Sequence, residues 1–162
     1  MLRRRRSRGE ATAVDELDAR VVSVVWDEDV DVTNERRERD WRELRAIVAE
    51  AVIWQDAAND VLAAISRREP LAELAPRGGP LVRRFCELRA RLPESDDAEL
   101  RAITEVLGPV LDHHALMLSS SLDMLAVDWR SERLVEELER ITGLGAPAER
   151  LERIYAQIAG SG

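Results

Sequence analysis

The residues best suited to chemistry lie in one stretch of the sequence, between positions 112 and 123. Asp112 is followed by two adjacent histidines, His113 and His114, and then by Ser119 and Asp123. Imidazole and carboxylate groups bind transition metals, and with a hydroxyl group they also form the polar part of small-molecule pockets. One interpretation is therefore a cofactor or metal site between the two most apolar helices, formed by His114, Asp112, Asp123 and Ser119.

The residue types in this stretch are suited to metal binding, but their spacing is less so. Helical di-iron sites take a Glu-x-x-His pair from one helix, so that both ligands project to the same side. The residues three positions before the two histidines are Val110 and Leu111, so neither histidine has its glutamate. His114 instead continues the helical spacing of Leu107 and Leu111, which favours a hydrogen-bonded histidine in the core. We therefore predict no cofactor.

An acidic segment near residue 30 contains a second group of candidate ligands. Asp27, Asp29 and Asp31 alternate along the chain, and Glu38 is the twelfth residue counted from Asp27. This spacing resembles the calcium-binding loop of EF-hand proteins, in which positions 1, 3, 5 and 12 supply ligand oxygens. The resemblance implies a calcium site at these four carboxylates. The sequence departs from the family pattern at Val32, where the EF-hand loop has a glycine for its sharp turn.

The same region resembles a second family over ten residues. Val21 to Trp26 is rich in β-branched residues and is followed by Asp27 and Asp29. The stretch from Val21 to Val30 resembles the strand-plus-aspartate motif of haloacid-dehalogenase-type phosphatases. The resemblance implies a nucleophilic aspartate and an acid/base aspartate. That chemistry requires a parallel sheet, for which the rest of the sequence supplies no strands. The simplest interpretation is an acidic loop with carboxylates near a helix N-terminus, where the helix dipole favours negative charge.

Two long helices are predicted to form the centre of the molecule. Apolar residues recur every three or four positions from Thr33 or Asn34 to about Arg67, which is the period of an amphipathic helix. The stripe consists of Trp41, Leu44, Val48, Ala51, Gln55, Ala58, Leu62 and Ile65. The second helix spans Pro109 to Val127 and contains only two carboxylates. The first helix has few charges on any face from Leu44 to Ile65, although its first turns are charged. This part of the helix is therefore predicted to be covered on more than one side.

The positions of the prolines and shorter apolar stripes predict the other secondary-structure elements. Residues 13–26 are predicted to be helical, because a single strand would have nothing to pair with. Pro76–Pro80 is predicted to be a loop and Pro109 to start a helix, because an interior proline removes a backbone hydrogen bond. Another helix is predicted over Trp129–Ile141. Pro147 opens the last helix, whose inward residues are predicted to be Leu151, Ile154, Tyr155 and Ile158.

These elements predict an all-α fold, a helical bundle of five to seven helices with two apolar central helices. Residues 1–12 are predicted to be a disordered basic tail, since they contain five arginines and no apolar periodicity. Residues 13–159 are predicted to form a single helical-bundle domain. A chain of 162 residues is long enough to bury roughly 70% of its unfolded surface.

An apolar face opposite the main stripe of the long helix indicates a contact surface. It carries Ala46, Ile53, Ala57 and Ala64 where a surface helix usually has polar residues. Trp54 flanks the stripe, and tryptophan is enriched at the energetic centres of protein interfaces. We therefore predict an interface with a partner protein or a second copy of the chain at Ile53, Ala46, Ala57 and Trp54.

Composition narrows the function classes. Cys86 is the single cysteine, which excludes an intramolecular disulfide framework. No apolar run approaches the roughly 20 residues needed to span a bilayer, so we predict no transmembrane segment and a cytoplasmic location. All 24 basic residues are arginine, a bias typical of high-GC bacteria. Residues 10–162 carry 19 arginines and 32 carboxylates, so no specific nucleic-acid binding is predicted, although Arg3–Arg8 would contact anionic surfaces weakly.

The leading functional prediction is a non-enzymatic helical interaction or adaptor protein that acts as a homo-oligomer or within a hetero-complex. The alternative is a small-molecule or metal-binding helical regulator or enzyme, with its pocket between the two central helices. A further alternative is calcium binding at the acidic loop.

Overall fold

The computed structural model describes the backbone of residues 11–126, 136, 140–141 and 143–160, and the side chains of these residues from position 32 onward. Four helices occupy these residues: α1 (Ala11–Ser66), α2 (Leu71–Ala90), α3 (Ala98–Ala126) and α4 (Ala146–Ala159). No strand is present in them, which confirms the all-α prediction. The described part thus contains four helices rather than five to seven.

The chain divides into two compact units, Met1–Arg39 and Asp40–Gly162. The predicted tail of residues 1–12 lies outside the described residues except for positions 11 and 12, and most of the helix predicted over 129–141 also lies outside them. The single domain over residues 13–159 stays a prediction. The candidate site lies within the second unit.

Helix α1 confirms one prediction in the first unit and corrects another. Residues 13–26 are helical as predicted. The loop predicted over Asp27–Asp31 is wrong, because α1 continues through these residues. No glycine or proline interrupts the segment, and Val32 is a β-branched residue that does not adopt the positive φ of an EF-hand turn. The backbone therefore lacks the loop on which the calcium resemblance depended.

The end of α1 agrees with the sequence prediction. The helix ends at Ser66, followed by Arg68 with a φ of 61°. The amide of Glu69 donates to the carbonyl of Ala64 at 3.1 Å, and that of Arg68 donates to Ile65 at 2.9 Å. These bonds close the last turn with a left-handed residue, as is common at helix C-termini.

Helix α2 corrects the prediction of a loop at Pro76–Pro80, since it runs without a break through both prolines. Each proline withdraws one backbone donor, from the carbonyl of Ala72 and from that of Pro76, at a cost of about 3 kcal/mol per interior proline. Burial of one face offsets this cost. The buried residues of α2 are Leu74, Gly78, Leu81, Phe85 and Leu88, a four-then-three repeat.

Helix α3 likewise continues through Pro109, so the predicted start of a helix at this residue is wrong. Asp97 caps the helix, because its Oδ1 accepts a hydrogen bond from the amide of Leu100 at 2.9 Å. Pro109 lies exposed on the surface, where water can satisfy the carbonyl of Glu105 that has lost its donor. The opposite face of α3 is buried at Leu107, Gly108, Val110 and Leu111.

The core of the second unit contains apolar residues from all four helices, and α3 packs against both α2 and α4. From Leu44 to Ile65 every predicted stripe residue of α1 is buried, and Trp41 packs against the cluster. On α4 the predicted inward residues are buried except Tyr155, which is 42% exposed. None of the described helices is both long and apolar enough to cross a bilayer.

Candidate functional site

A cleft of about 530 Å³ lies between helices α1 and α2. Helix α1 contributes Trp54, Ala57, Asp60 and Val61, which share one face because they are spaced by three and four residues. Helix α2 contributes Pro76, Arg77, Pro80, Leu81, Arg83, Arg84 and Glu87. The wall formed by α2 is thus rich in proline and arginine, and a tryptophan lies on the wall formed by α1.

Trp54 is held in place by contacts at its edge and at its face. The indole Nε1 donates to Oε1 of Glu50 at 3.4 Å, one helical turn earlier. The guanidinium of Arg84 lies over the ring, with its Cζ 5.6 Å from the ring centroid, a distance typical of a cation–π contact. Trp54 packs against the core but is only half-buried. Its ring is therefore a fixed apolar surface that remains accessible in the cleft.

Ion pairs hold α1 against α2 at one end of the cleft. Arg91 donates to Glu43 at 2.9 Å and to Glu50 at 3.0 Å. Arg84 lies 3.5 Å from Glu50 and 3.0 Å from Glu87. These side chains are between 29% and 57% exposed, so each pair contributes at most about 1 kcal/mol. The pairs of Glu43 and Glu50 with Arg91, and of Glu50 with Arg84, connect the two sides of the cleft, whereas Arg84–Glu87 lies within α2.

This network shifts two pKa values. Burial raises the pKa of Glu50, but hydrogen bonds from Arg91 and Trp54 and the charges of Arg91 and Arg84 outweigh it, so the pKa falls below 4.5. Hydrogen bonds to Glu43 and Glu50 raise the pKa of Arg91, with burial opposing them. Both groups are charged at neutral pH, and Glu50 already accepts from Trp54 and Arg91 and pairs with Arg84.

Two charged residues of the cleft have no ion-pair partner among the described residues. Arg83 on α2 and Asp60 on α1 are both exposed. Neither forms an ion pair or a side-chain hydrogen bond with any described residue, whereas Arg77 pairs with Glu69 at 3.4 Å. The two walls therefore each present a free charge, positive on α2 and negative on α1.

The residues predicted to form an interface are divided between the cleft and its edge. Trp54 and Ala57 line the cleft. Ile53 is 67% exposed and precedes Ala57 by one helical turn, while Ala46 is exposed two turns before Ile53. Ala64, assigned to the same face from the sequence, is instead fully buried in the core.

His114 is fully buried and bonded at both ring nitrogens. Its Nδ1 lies 2.7 Å from the carbonyl oxygen of Val110, and its Nε2 lies 3.2 Å from Oε1 of Gln55. Gln55 in turn donates from its Nε2 to Glu152 at 3.2 Å. The ring also contacts Phe85, with a centroid separation of 5.0 Å. This arrangement agrees with a hydrogen-bonded core histidine and leaves no ring nitrogen for a ligand.

The structure does not bring the other three predicted ligand-binding residues to His114. Asp112 and Asp123 are exposed and Ser119 is half-buried, and their spacing of seven and four residues places them on one face of α3. Asp112 pairs with Arg89 of α2 at 3.3 Å. Among the residues that the structure describes, no group of three or more histidine, cysteine or acidic side chains is arranged to hold a metal ion.

Only one member of the predicted calcium site has a described side chain. Glu38 is exposed on α1, and the side chains of Asp27, Asp29 and Asp31 lie outside the described residues. Helical backbone places residues two positions apart on different sides of the helix. The calcium site remains a prediction, without the loop that motivated it.

Sequence reasoning missed the α2 wall of the cleft because Pro76–Pro80 was predicted to be a loop. A signal was present in the sequence. Leu74, Gly78, Leu81, Phe85 and Leu88 follow the heptad-like spacing of a buried helical face. That spacing places Arg77 and Arg84, two turns apart, together on another face of the same helix.

No protein-family model matches this chain, and the searches of curated proteins and of solved structures gave no significant match.

Proposed function

We propose that this chain is a non-enzymatic helical interaction protein that binds a partner protein through the cleft between α1 and α2. The observation that carries the proposal is Trp54, whose indole nitrogen is already bonded and whose ring remains accessible in a preformed cleft. Rigid, partly exposed aromatic side chains in pockets dominate the binding energy of protein interfaces.

The chemistry of the lining residues supports binding rather than catalysis. The described lining residues include no serine, cysteine or histidine that would serve as an activated nucleophile or its base. Of the two carboxylates, Glu87 is paired with Arg84. Apolar residues and arginine, which are typical of interface cores, form most of the surface.

Residues beside the cleft extend the apolar surface available to a partner. Ile53 and Ala46 lie exposed along α1, so an extended segment or a helix lying along α1 would contact them together with Trp54. The alternative of a ligand pocket at His114 has less support, because both ring nitrogens are bonded within the core. We also propose a cytoplasmic location, which agrees with the free exposed thiol of Cys86.

Site-specific photo-cross-linking in the source cell tests the proposal. A photoreactive amino acid replaces Ala57 in the cleft of the full chain, and a matched variant carries it at Ala102, exposed on α3. We expect discrete cross-linked species from position 57, either a second copy or another protein, that are absent from position 102. The substitution Trp54→Ala in the same chain should remove these species.

Identical cross-linking from positions 57 and 102, or species that persist after Trp54→Ala, would contradict the proposal. A chain that remains monomeric in the cell and gives no cross-link at position 57 would contradict it as well. Circular dichroism of the Trp54→Ala variant provides the control for folding.

A further inference from the structure

The ion pairs between α1 and α2 define how the two cleft walls are aligned. Arg84 pairs with Glu50. Arg91, seven residues later on α2, pairs with Glu43, seven residues earlier on α1. Helix α2 therefore runs antiparallel to α1, and the register of the two helices is the same at both pairs.

The two free charges of the cleft have opposite signs and lie apart along it. In the register of these ion pairs, Arg83 on α2 is level with Ala51 on α1, nine residues before Asp60. At about 1.5 Å per residue, this offset corresponds to roughly 13 Å along the helix axes. The cleft thus has a free cation toward one end and a free anion toward the other.

Apolar side chains occupy the interval between the two charges. Ile53 is 67% exposed, and the ring of Trp54 is accessible in the cleft. Ile53, Ala57 and Asp60 share one face of α1, because they are spaced by four and three residues. Along the cleft, a positive charge is therefore followed by apolar side chains and then by a negative charge. This pattern is complementary to itself when a second copy lies antiparallel to it.

We infer that the partner at this cleft is a second copy of this chain, related by a two-fold axis, so that Arg83 of each protomer pairs with Asp60 of the other. This inference rests on the proposed interaction function and names the partner. A two-fold axis reverses the order of the two charges and keeps their spacing, so both pairs form together. The apolar side chains between the pairs are covered, as in interfaces with an apolar core and a polar rim.

The two charges distinguish this partner from a segment of one sign. A purely acidic segment would satisfy Arg83 and be repelled by Asp60, and a purely basic segment would do the reverse. A second copy supplies both signs at the matching separation, because its surface is the same. The formal net charge of −8 opposes self-association. Apolar contact at Ile53 and Trp54 must therefore provide most of the affinity, while the two ion pairs set the orientation.

Charge reversal in the purified full chain tests the inference. Asp60→Arg sets an arginine against Arg83 of the partner subunit, and Arg83→Asp sets an aspartate against Asp60 of the partner subunit. An equimolar mixture of the two variants restores both pairs, because one protomer then carries only arginine at the two positions and the other only aspartate. The matched control is Arg150→Asp, which is exposed on α4 and outside the cleft. Sedimentation velocity over a concentration series measures the dissociation constant of the dimer at physiological ionic strength.

We expect the wild-type chain to dimerise. Each single reversal should weaken the dimer about 10- to 30-fold, because it replaces two exposed ion pairs by two repulsions. The mixture should recover dimers close to the wild-type affinity, and Arg150→Asp should leave the affinity unchanged. Circular dichroism of each variant provides the control for folding.

Three results would overturn the inference: a wild-type chain that stays monomeric at every concentration, a dimer that the single reversals do not weaken, and a mixture that does not recover dimers. The proposed function is decided separately by the cross-linking at position 57. A cross-link to a different protein there would leave that function standing with another occupant in the cleft.

Discussion

His114 is the clearest case in which a chemically capable residue serves the core. Its side chain can titrate, yet none of its surface is exposed to solvent. A carbonyl oxygen only accepts hydrogen bonds, so Nδ1 must carry a hydrogen that it donates to Val110. The structure places Oε1 of Gln55 toward Nε2, an orientation that suits a protonated ring, whereas a neutral ring requires the NH₂ group of Gln55 there and would turn the Gln55 oxygen toward Glu152. A polar chain thus connects α3, α1 and α4 through the apolar core.

The protonation of His114 should make stability depend on pH. Burial lowers the pKa of His114 below 6.5, the charge of His113 lowers it further, and the hydrogen bond to Val110 opposes both. The unfolded chain therefore binds a proton at higher pH than the folded chain does. The free energy of unfolding should fall as the pH drops below about 6.5 and through the lower pKa of the folded state.

Urea denaturation at a series of pH values measures this dependence. The substitution His114→Gln should reduce the slope of unfolding free energy against pH below 6.5, whatever its effect on absolute stability. His113→Gln is the matched control, because His113 is only half-buried. Equal slopes for the wild type and the His114→Gln variant would contradict the assignment.

At the scale of elements, α2 depends on close packing to remain helical across its prolines and glycines. A Cβ on Gly78 would lie 2.8 Å from Cδ1 of Leu122 on α3, so the absence of a side chain lets the two helices approach. A Cβ on Gly79 would meet nothing within 4 Å. Two adjacent glycines in one helix therefore have different roles.

Alanine substitutions should separate these two roles. Gly79→Ala should raise the free energy of unfolding by about 0.5–1 kcal/mol, because alanine is the better helix former and has room. Gly78→Ala should raise it by less than Gly79→Ala does, because the added methyl group must displace Cδ1 of Leu122, which offsets the gain in helix propensity. Chemical denaturation measures both values, and an equal gain from Gly78→Ala and Gly79→Ala would contradict the close approach of α2 and α3.

At the scale of the whole molecule, contacts between residues far apart in sequence assemble the second unit. Asn59 of α1 accepts a hydrogen bond on Oδ1 from the amide of Leu144, which precedes α4, at 3.1 Å. Gly143 has a φ of 112°, and a Cβ there would lie 3.0 Å from the same Oδ1. The side chain of Asn59 thus shapes the turn into α4.

A double-mutant cycle tests this long-range contact. Asn59→Ala should cost about 1–3 kcal/mol, because it leaves the Leu144 amide without its acceptor. Gly143→Ala should cost a similar amount through the strained backbone and the contact with Asn59. The double variant should lose less than the sum, since removing the Asn59 side chain relieves that contact. Full additivity would show that the two residues are independent.

The sequence predicted the features that depend on local periodicity. The buried stripe of α1 from Leu44 to Ile65 and the end of α1 near Arg67 agree with the structure. The apolar environment of His114 was also apparent from its spacing to Leu107 and Leu111. On the candidate cleft, the same reasoning identified Trp54 and Ala57 on the α1 wall, because helical spacing alone fixes which residues share a face.

Tertiary packing determines the features for which the local sequence predicts something else. Pro76, Pro80 and Pro109 predict breaks, yet α2 and α3 continue through them. Packing of one face against other helices supplies free energy that no local pattern contains, and it offsets the lost hydrogen bonds. The continuous α2 then places Arg77, Arg83 and Arg84 opposite Trp54. The cleft and its free charges follow from contacts across the chain, since only folding determines which walls face each other.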